Sequence, residues 1–455
     1  MIRYRFLPRP ALIARAPHVD RSPPEHRTQR RRLRACHECD WVSALPPLSP
    51  GEKASCPRCE CTLVRRHPYP AQRSMALAIA AFVTLLVATS FRFISFSVSG
   101  VSNRIELPQT ATALFEFHQP VVALVVIMTI VILPACYLLA VMWLQWGLMR
   151  HHPLPFSRDI ARALARLTPW MMADVFIIGA LVSLIKIAGL AEVSLGLSFW
   201  AFCIFAFLLL LTTQSLDADW MWFSLDGGEP LAPEGTKTAA AAAGQQLTGC
   251  HTCGLINAVG SGADMRCRRC HERLHSRHPY SLQRTWAFLV AAAVMYIPAN
   301  LYPIMNVTSL GKTSSSTIIG GVVELYQTGS WPVAIVIFIA SVMVPVGKLF
   351  ALSWLCIVVK RRHRLNTRSR ILLYRITEFI GRWSMVDVFV VSILVALIRA
   401  GALMSISPGP AELAFGAVVV LTMLAAMSFD PRLIWDRPLP RDAASYTATR
   451  GNTDG

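Results

Sequence analysis

Eight of the twelve cysteines in this 455-residue chain fall into two frames. Cys36-His-Glu-Cys39 is followed, sixteen residues later, by Cys56-Pro-Arg-Cys59, and Cys250-His-Thr-Cys253 is followed, thirteen residues later, by Cys267-Arg-Arg-Cys270. A Cys-x-x-Cys turn brings two thiolates to one point, and two such turns complete the tetrahedron that Zn2+ prefers. Each frame occupies a segment too short to build an apolar core, so a bound metal would supply the folding free energy. The expectation is two structural zinc sites, one of Cys36, Cys39, Cys56 and Cys59 and one of Cys250, Cys253, Cys267 and Cys270. Iron in the same four-thiolate cage, or a dithiol redox pair, would use the same residues, and spacing alone does not separate them. Cys61 lies just outside the first frame and reads as spare. His37, His251 and His271 adjoin the ligands but break the spacing and are not assigned as ligands. Cys136, Cys203 and Cys356 fall in apolar runs and read as small apolar residues.

The elements around these frames are membrane spans. Hydrophobic residues make up 54% of the chain and charged residues 15%, well short of the quarter that is usual for a soluble domain. The apolar residues form eight runs long enough to cross a bilayer: about 75–97, 120–148, 169–190, 196–216, 285–305, 331–359, 382–403 and 411–429. Of the 44 Lys and Arg, 38 fall in segments 1–74, 149–168, 217–284, 360–382 and 430–455, whereas the two longer loops on the other side carry only Arg104 and Lys312. That asymmetry is the positive-inside pattern and places both termini in the cytoplasm. It also argues against nucleic-acid binding, because no single basic face survives once the spans are placed. No cleavable signal peptide is visible; residues 1–34 read as a disordered basic arm able to touch anionic lipid.

The chain repeats itself. Arg66 to Arg73 reads RHPYPAQR and Arg277 to Arg284 reads RHPYSLQR, at an offset of 211. Pro134 and Trp143 correspond to Pro345 and Trp354 at the same offset; Trp170 to Phe176 (WMMADVF) corresponds to Trp383 to Phe389 (WSMVDVF) at 213. Each unit is a cysteine module, an RHPY junction and four spans. Four is even, so both copies have one orientation, and the predicted fold is an α-helical polytopic membrane protein with eight transmembrane helices, built as two parallel-repeat four-helix halves, each preceded by a small cytoplasmic zinc-ribbon module. The implied segments are a basic arm (1–34), zinc-ribbon module 1 (35–65), membrane half 1 (66–225), a Gly/Pro/Ala-rich linker with no buried pattern (226–249), module 2 (250–276), membrane half 2 (277–436) and a disordered tail (437–455).

Polar residues within the spans are the candidates for function, because burying them in hydrocarbon is costly. Lys348 lies in the context VPVGKLF, roughly 16 Å from the cytoplasmic end of its run, too deep to snorkel, and must face a cavity or a carboxylate. Tyr137 is its counterpart in the first half. Asp174 and Asp387 occupy equivalent positions and are the natural partners for Lys348, although a carboxylate near a helix start is also favoured by the helix dipole. Ser384 lies on the helical face of Asp387, and Thr422 lies mid-run in the last span; with Lys348 and the two aspartates they would line one polar path. Lys186 and Arg399 correspond to each other and can snorkel from the far ends of their spans. Glu324 lies in a far-side loop that reads as re-entrant or interfacial. The GKT at Gly311 to Thr313 lacks the first glycine of a P-loop, and no zincin helix, nucleophile elbow or dinucleotide fingerprint is present; the expectation is no enzymatic activity.

The duplicated cysteine modules fused to four spans, with YPI (Tyr302 to Ile304), GxW (Gly329 to Trp331), VPVGKL (Val344 to Leu349) and the two WxMxDVF segments, resemble the paraquat-inducible protein A family over about residues 35–436. The resemblance implies a protein of the Gram-negative inner membrane, encoded with periplasmic tunnel partners that carry mammalian-cell-entry domains, and a role in moving phospholipid between the two membranes. The residues themselves support a polytopic protein with a polar path and no nucleotide site; lipid as cargo comes from the resemblance. Two other functions use the same features: a rubredoxin-like iron redox membrane protein, and a passive membrane anchor for a partner.

Overall fold

The computed structural model describes residues 32–98, 101–107, 109, 120–188, 192–228, 230–260, 265–309, 312–327, 329, 331–361, 367–383, 386, 389–390, 392–393 and 404–436. Among these, seven helices are long and apolar enough to cross a membrane. They correspond to all the predicted runs except 382–403, most of which lies outside the described residues.

The chain enters through β1 (Arg32–Ala35), β2 (Val42–Leu45), β3 (Lys53–Ser55) and β4 (Thr62–Arg65), two antiparallel hairpins that carry the first cysteine frame. Helix α1 (Pro70–Ser90) follows, with Tyr69 in the left-handed conformation at its cap and Pro70 in the first turn, where a missing N–H costs nothing. Its buried stripe is small: Ala71, Ser74, Ala78, Ala81, Leu85 and Ala88. Small residues at helical spacing let backbones approach closely, and the partner is the helix Leu197–Ser215. The second span runs from α2 (Pro120–Ile127) through a π-helical turn (Met128–Ile132) into α3 (Leu133–Met149). Pro134, which lacks the N–H for the preceding turn, sits at the start of α3, and the wider turn before it accommodates the missing bond. Next come α4 (Ser157–Leu167), α5 (Ala173–Ala188), α6 (Leu197–Ser215) and α7 (Ala218–Asp226).

The second cysteine frame is held by β8 (Leu247–Gly249) and β9 (Ile256–Ala258). Helix α8 (Ser281–Leu301) then begins after Tyr280, again left-handed. After it come α9 (Ile318–Gln327), α10 (Trp331–Phe338), a π-helical turn (Ile339–Met343), α11 (Val344–Arg361), α12 (Thr367–Trp383) and α13 (Pro410–Ser428). Pro345 stands at the same place relative to its π-turn as Pro134. Helix α8 packs on α13 as α1 packs on α6.

At the ends of the spans remote from the cysteine modules, two three-stranded antiparallel sheets appear, which the sequence reading did not contain. One has the order β6 (Val101–Glu106), β5 (Arg92–Val98), β7 (Glu192–Leu195); the other has β11 (Lys312–Ser316), β10 (Met305–Ser309), β12 (Met404–Pro408). The runs 75–97 and 285–305 are therefore helices that stop at Ser90 and Leu301, before β5 and β10. In both sheets the chain turns from the last strand into a helix across a glycine packed on backbone at the start of β5 or just before β10. Gly196 N donates to Phe93 O at 3.0 Å and Gly409 N to Ile304 O at 2.8 Å. A Cβ at Gly196 would stand 1.9 Å from Arg92 O, and one at Gly409 2.1 Å from Pro303 O. Only glycine fits there. Glu324 lies on α9, whose Ile319, Val323 and Tyr326 are exposed.

Two segment assignments change. The stretch read as a linker without buried pattern is packed: Val42 N donates to Ala240 O at 2.9 Å, Ala239 N to Val42 O at 3.0 Å, and Ala242 is fully buried. Its run of alanines works because a methyl side chain fits against the first module while both backbone groups are used. The end of the basic arm is also ordered, with Arg34 buried; residues 1–31 and the tail 437–455 lie outside the described residues.

Candidate metal centres and a buried polar pair

Each cysteine frame is built from two identical knuckles. In the first knuckle Asp40 N donates to Cys36 O at 2.9 Å and Cys36 N to Trp41 O at 3.0 Å. The same two bonds recur for Cys56 with Glu60 and Cys61, Cys250 with Gly254 and Leu255, and Cys267 with His271 and Glu272. The residue after the second cysteine of every knuckle, namely Asp40, Glu60, Gly254 and His271, has a positive φ between 55° and 72°, which turns the chain back and leaves both Sγ atoms on one side.

The four sulfurs of each frame converge. Cys36 and Cys59 Sγ are 3.5 Å apart, as are Cys39 and Cys56; Cys250 and Cys270 are 3.4 Å apart, and Cys253 and Cys267 3.5 Å. All eight side chains are buried, and within each frame all the sulfurs lie within 4.8 Å of one another. A tetrahedron of Zn–S bonds near 2.3 Å sets its sulfurs roughly 3.8 Å apart, so the residues fit a four-thiolate metal. Without a cation the sulfurs cannot all ionise: hydrogen bonding from Cys36 drives Cys39 far up and Cys56 far down. Amide groups point at the second cluster, with Arg269 N 3.5 Å and Asn257 Nδ2 3.7 Å from Cys267 Sγ, the support that thiolate ligands need. His37 is exposed and its Nε2 lies 3.4 Å from Cys61 Sγ, outside the four-sulfur cluster. Glu38, the third potential donor there, is engaged by Arg375.

The modules dock crosswise. The first, which precedes half 1 in sequence, reaches half 2: Arg375 on α12 bonds Glu38 and donates to Cys59 O at 2.9 Å, and the Arg58 guanidinium lies 4.4 Å from the Trp435 ring. The second module sits under half 1: Arg166 on α4 donates to Glu272 at 2.6 Å, and Arg269 Nε to Asp226 at the end of α7 at 3.0 Å. Its cysteines join the apolar core that contains Leu148, Leu164 and Trp222. Arg32 and Arg34 on β1 return to half 1 through Asp219 at 2.8 and 2.7 Å. The modules also touch each other, with Val42, Ala242, Leu247 and Ile256 in one small core.

Within the second half, Lys348 Nζ donates to Thr422 Oγ1 at 2.9 Å, and the Thr422 hydroxyl donates to Val419 O at 3.0 Å. Lys348 is 3% and Thr422 1% exposed, so the pair is desolvated. Ser341, in the π-turn seven residues before Lys348, is also buried. The expected partner Asp174 is not there. It is exposed in the first turn of α5, beside Thr168, Met171 and Thr213, where the helix N-terminus favours a carboxylate. Asp387 and Ser384 lie outside the described residues, as does Arg399; the side chain of Lys186 is also outside them. Tyr137, the counterpart of Lys348, is 1% exposed.

Glu412 was missed. It lies in the first turn of α13, 1% exposed, with neither carboxylate oxygen hydrogen-bonded among the described residues. The signal was a carboxylate just inside a span, a costly placement that marks function by default. It escaped because it stands at the edge of the apolar run 411–429.

The family model described as paraquat-inducible protein A matches residues 71–226 and 282–438. An intermembrane transport protein PqiA from Escherichia coli strain K12 is 38% identical over 402 residues, 88% of this chain and 95% of that protein. The lipophilic envelope-spanning tunnel protein A of the same strain is 29% identical over 401 residues, 88% of this chain and 90% of its own. A probable intermembrane transport protein of Haemophilus influenzae is 28% identical over 405 residues, 88% and 95% of the two chains. No solved structure matches the chain.

Proposed function

The chain belongs to the paraquat-inducible protein A family, and from that premise we propose that it is the inner-membrane subunit of a lipid-transport system. In this reading it loads or unloads phospholipid for a periplasmic tunnel partner bearing mammalian-cell-entry domains and so maintains the envelope. It is a multi-pass membrane protein of the transport class that its relatives are named for. Eight spans in two parallel-repeat halves, both termini in the cytoplasm and structural zinc in both cysteine clusters complete the proposal, which assigns no enzymatic activity.

One observation carries the mechanism: a lysine amine buried within a span and held by a threonine hydroxyl, Lys348 on Thr422. Such a group is retained in the membrane against a large desolvation cost. We assign it the proton-exchanging position that couples lipid movement to the proton gradient, with Asp387 and Ser384 as the other members of the path. The test is complementation of envelope integrity by variants that still accumulate and keep their metal. Lys348→Ala and Lys348→Arg are both expected to fail, the second because arginine stays protonated and cannot relay. Full activity of Lys348→Arg would make the residue an electrostatic pin, and full activity of Lys348→Ala as well would favour the passive anchor. Iron as the main bound metal would favour the redox reading.

A further inference from the structure

A cavity of about 880 Å³ opens between α8 and α11 near their module-proximal ends, toward the upper end of the range for small-molecule sites. Its chemistry is graded along α8. At the mouth stand Tyr280, Gln283 and, from the last turn of α11, Lys360. Further along α8, toward the middle of the span, the wall is apolar and open, with Trp286, Ala287 and the 56% exposed Val290. From Ser281 to Val290 the helix rises about 14 Å, so the polar mouth and the apolar wall are separated along the membrane normal as headgroup and acyl chain are. Lys360 is exposed and has no ion-pair partner among the described residues, and Tyr280 is 69% exposed; both are free to meet a ligand.

The sequence repeat shows that the lining side chains differ between the two copies. At the offset of 211, Lys360 corresponds to Met149, Cys356 at the cavity floor to Gln145, Trp286 to Met75 and Val290 to Ile79. The first half therefore has a methionine where the second half has Lys360 and places the longer, buried Gln145 where the second half has a cysteine. The apolar wall with Lys360 at its rim lies in the second half, the half that also holds Lys348.

We infer that this cavity binds one glycerophospholipid of the adjacent leaflet, its phosphodiester against Lys360 and Gln283 and one acyl chain along Trp286, Ala287 and Val290. This rests on the proposed lipid-transport function and adds to it the place where lipid is held on the module side. Lys348 lies on the same helix as Lys360, twelve residues earlier, roughly 18 Å further into the membrane.

The test uses the full-length purified protein in nanodiscs that contain phosphatidylglycerol or phosphatidylethanolamine carrying a photoreactive group in the acyl chain, with a photoreactive fatty acid of equal length as the second probe. Labelled peptides are mapped by mass spectrometry. Phospholipid labelling is expected to concentrate on Ser281–Val290 and on the last turns of α11. Lys360→Glu should lower it at least about five-fold, since one lysine at a membrane surface contributes about 1 kcal/mol to anion attraction. Ala287→Phe, which fills the cavity, should lower labelling by both probes. Lys348→Ala should leave labelling intact while transfer is lost, so that failure of the transport mechanism and failure of the site give different results. Labelling spread evenly over all the spans, or insensitive to both cavity substitutions, would show ordinary boundary lipid and overturn the assignment. Labelling by the fatty acid as strong as by phospholipid, and indifferent to Lys360→Glu, would remove the phosphodiester from it.

Discussion

Arg375 of α12 grips Glu38 of the first cysteine module with its Nε 3.1 Å from Oε1, while its Nη2 reaches Oε2 of the same carboxylate and the Cys59 carbonyl. The pair spans 337 residues of sequence and joins a metal knuckle to the opposite membrane half. Arg375 is partly exposed, so the ion pair is screened and contributes at the upper end of the surface range, about 1 kcal/mol. In purified protein, Arg375→Ala and Glu38→Gln should each speed chelator-driven loss of the first metal, by about five-fold at most. The double variant should be no faster than the worse single one. Additive effects would mean that the two residues do not act together.

Metal stoichiometry should follow the sulfurs. The intact protein is expected to bind about two zinc ions, and Cys56→Ser or Cys267→Ser about one, because each cluster supplies a complete set of four ligands. Both variants should also accumulate poorly, since metal binding and local folding are coupled. Elemental analysis of the purified proteins decides; unchanged zinc in either variant would contradict the assignment of ligands.

Gly409→Ala should prevent accumulation of the protein, and Gly196→Ala likewise. The added methyl would enter the carbonyl of Pro303 or Arg92, and neither is a flexible side chain that could give way. Gly416, within α13, is the control: a Cβ there meets nothing within 4 Å, and alanine should be neutral or stabilise the helix by up to about 1 kcal/mol. Membrane abundance by immunoblot reads all three.

Asp219 supplies a pH test. Burial alone would raise its pKa, but Arg34 and Arg32 outweigh that and hold the carboxyl below its ordinary 3.8. A carboxylate whose folded pKa is depressed adds stability above its unfolded pKa and loses it as pH falls through the folded value. The stability deficit of Asp219→Asn should therefore be full at pH 7 and persist to about pH 4, then shrink below it. Thermal midpoints of both proteins across pH measure the difference, from which metal loss common to both cancels. A deficit that grows on acidification would refute the ion-pair account.

Orientation follows from the distribution of basic residues. Reporter fusions at Thr110 and Thr313 should report the periplasm, and one at Thr367 the cytoplasm. A periplasmic signal at Thr367 would invert the arrangement.

The parts of this molecule written in short-range chemistry were legible in the sequence. Cysteine spacing identified both four-sulfur clusters, and the RHPY junctions mark where α1 and α8 start, right after Tyr69 and Tyr280. The two small sheets were not legible, because apolar strands such as Phe93–Ile94 continue the apolar helix before them and length alone cannot place the boundary. Nor was the packing of the alanine-rich linker, since methyl groups signal neither core nor surface. Lys348 was found by its depth, but its contact with Thr422, 74 residues away, was not, and of its two expected partners Asp174 is exposed at the start of α5 while Asp387 lies outside the described residues. Pairing across helices depends on how the spans are rotated, and apolar runs that are hydrophobic all round do not encode that.

The crosswise docking imposes an order on biogenesis. The second module is synthesised just after the half it packs against and can dock at once. The first is synthesised before any span, yet its dock includes Arg375, 316 residues beyond Cys59. At a ribosomal rate of about 5–20 residues per second, that is an interval of roughly 15–60 s. Throughout it the first module has neither Arg375 nor Trp435, and for the first half of that interval it also lacks Asp219 and Ala242. A metal taken up by Cys36, Cys39, Cys56 and Cys59 during translation would therefore hold the two knuckles together until the dock on the later helices is made.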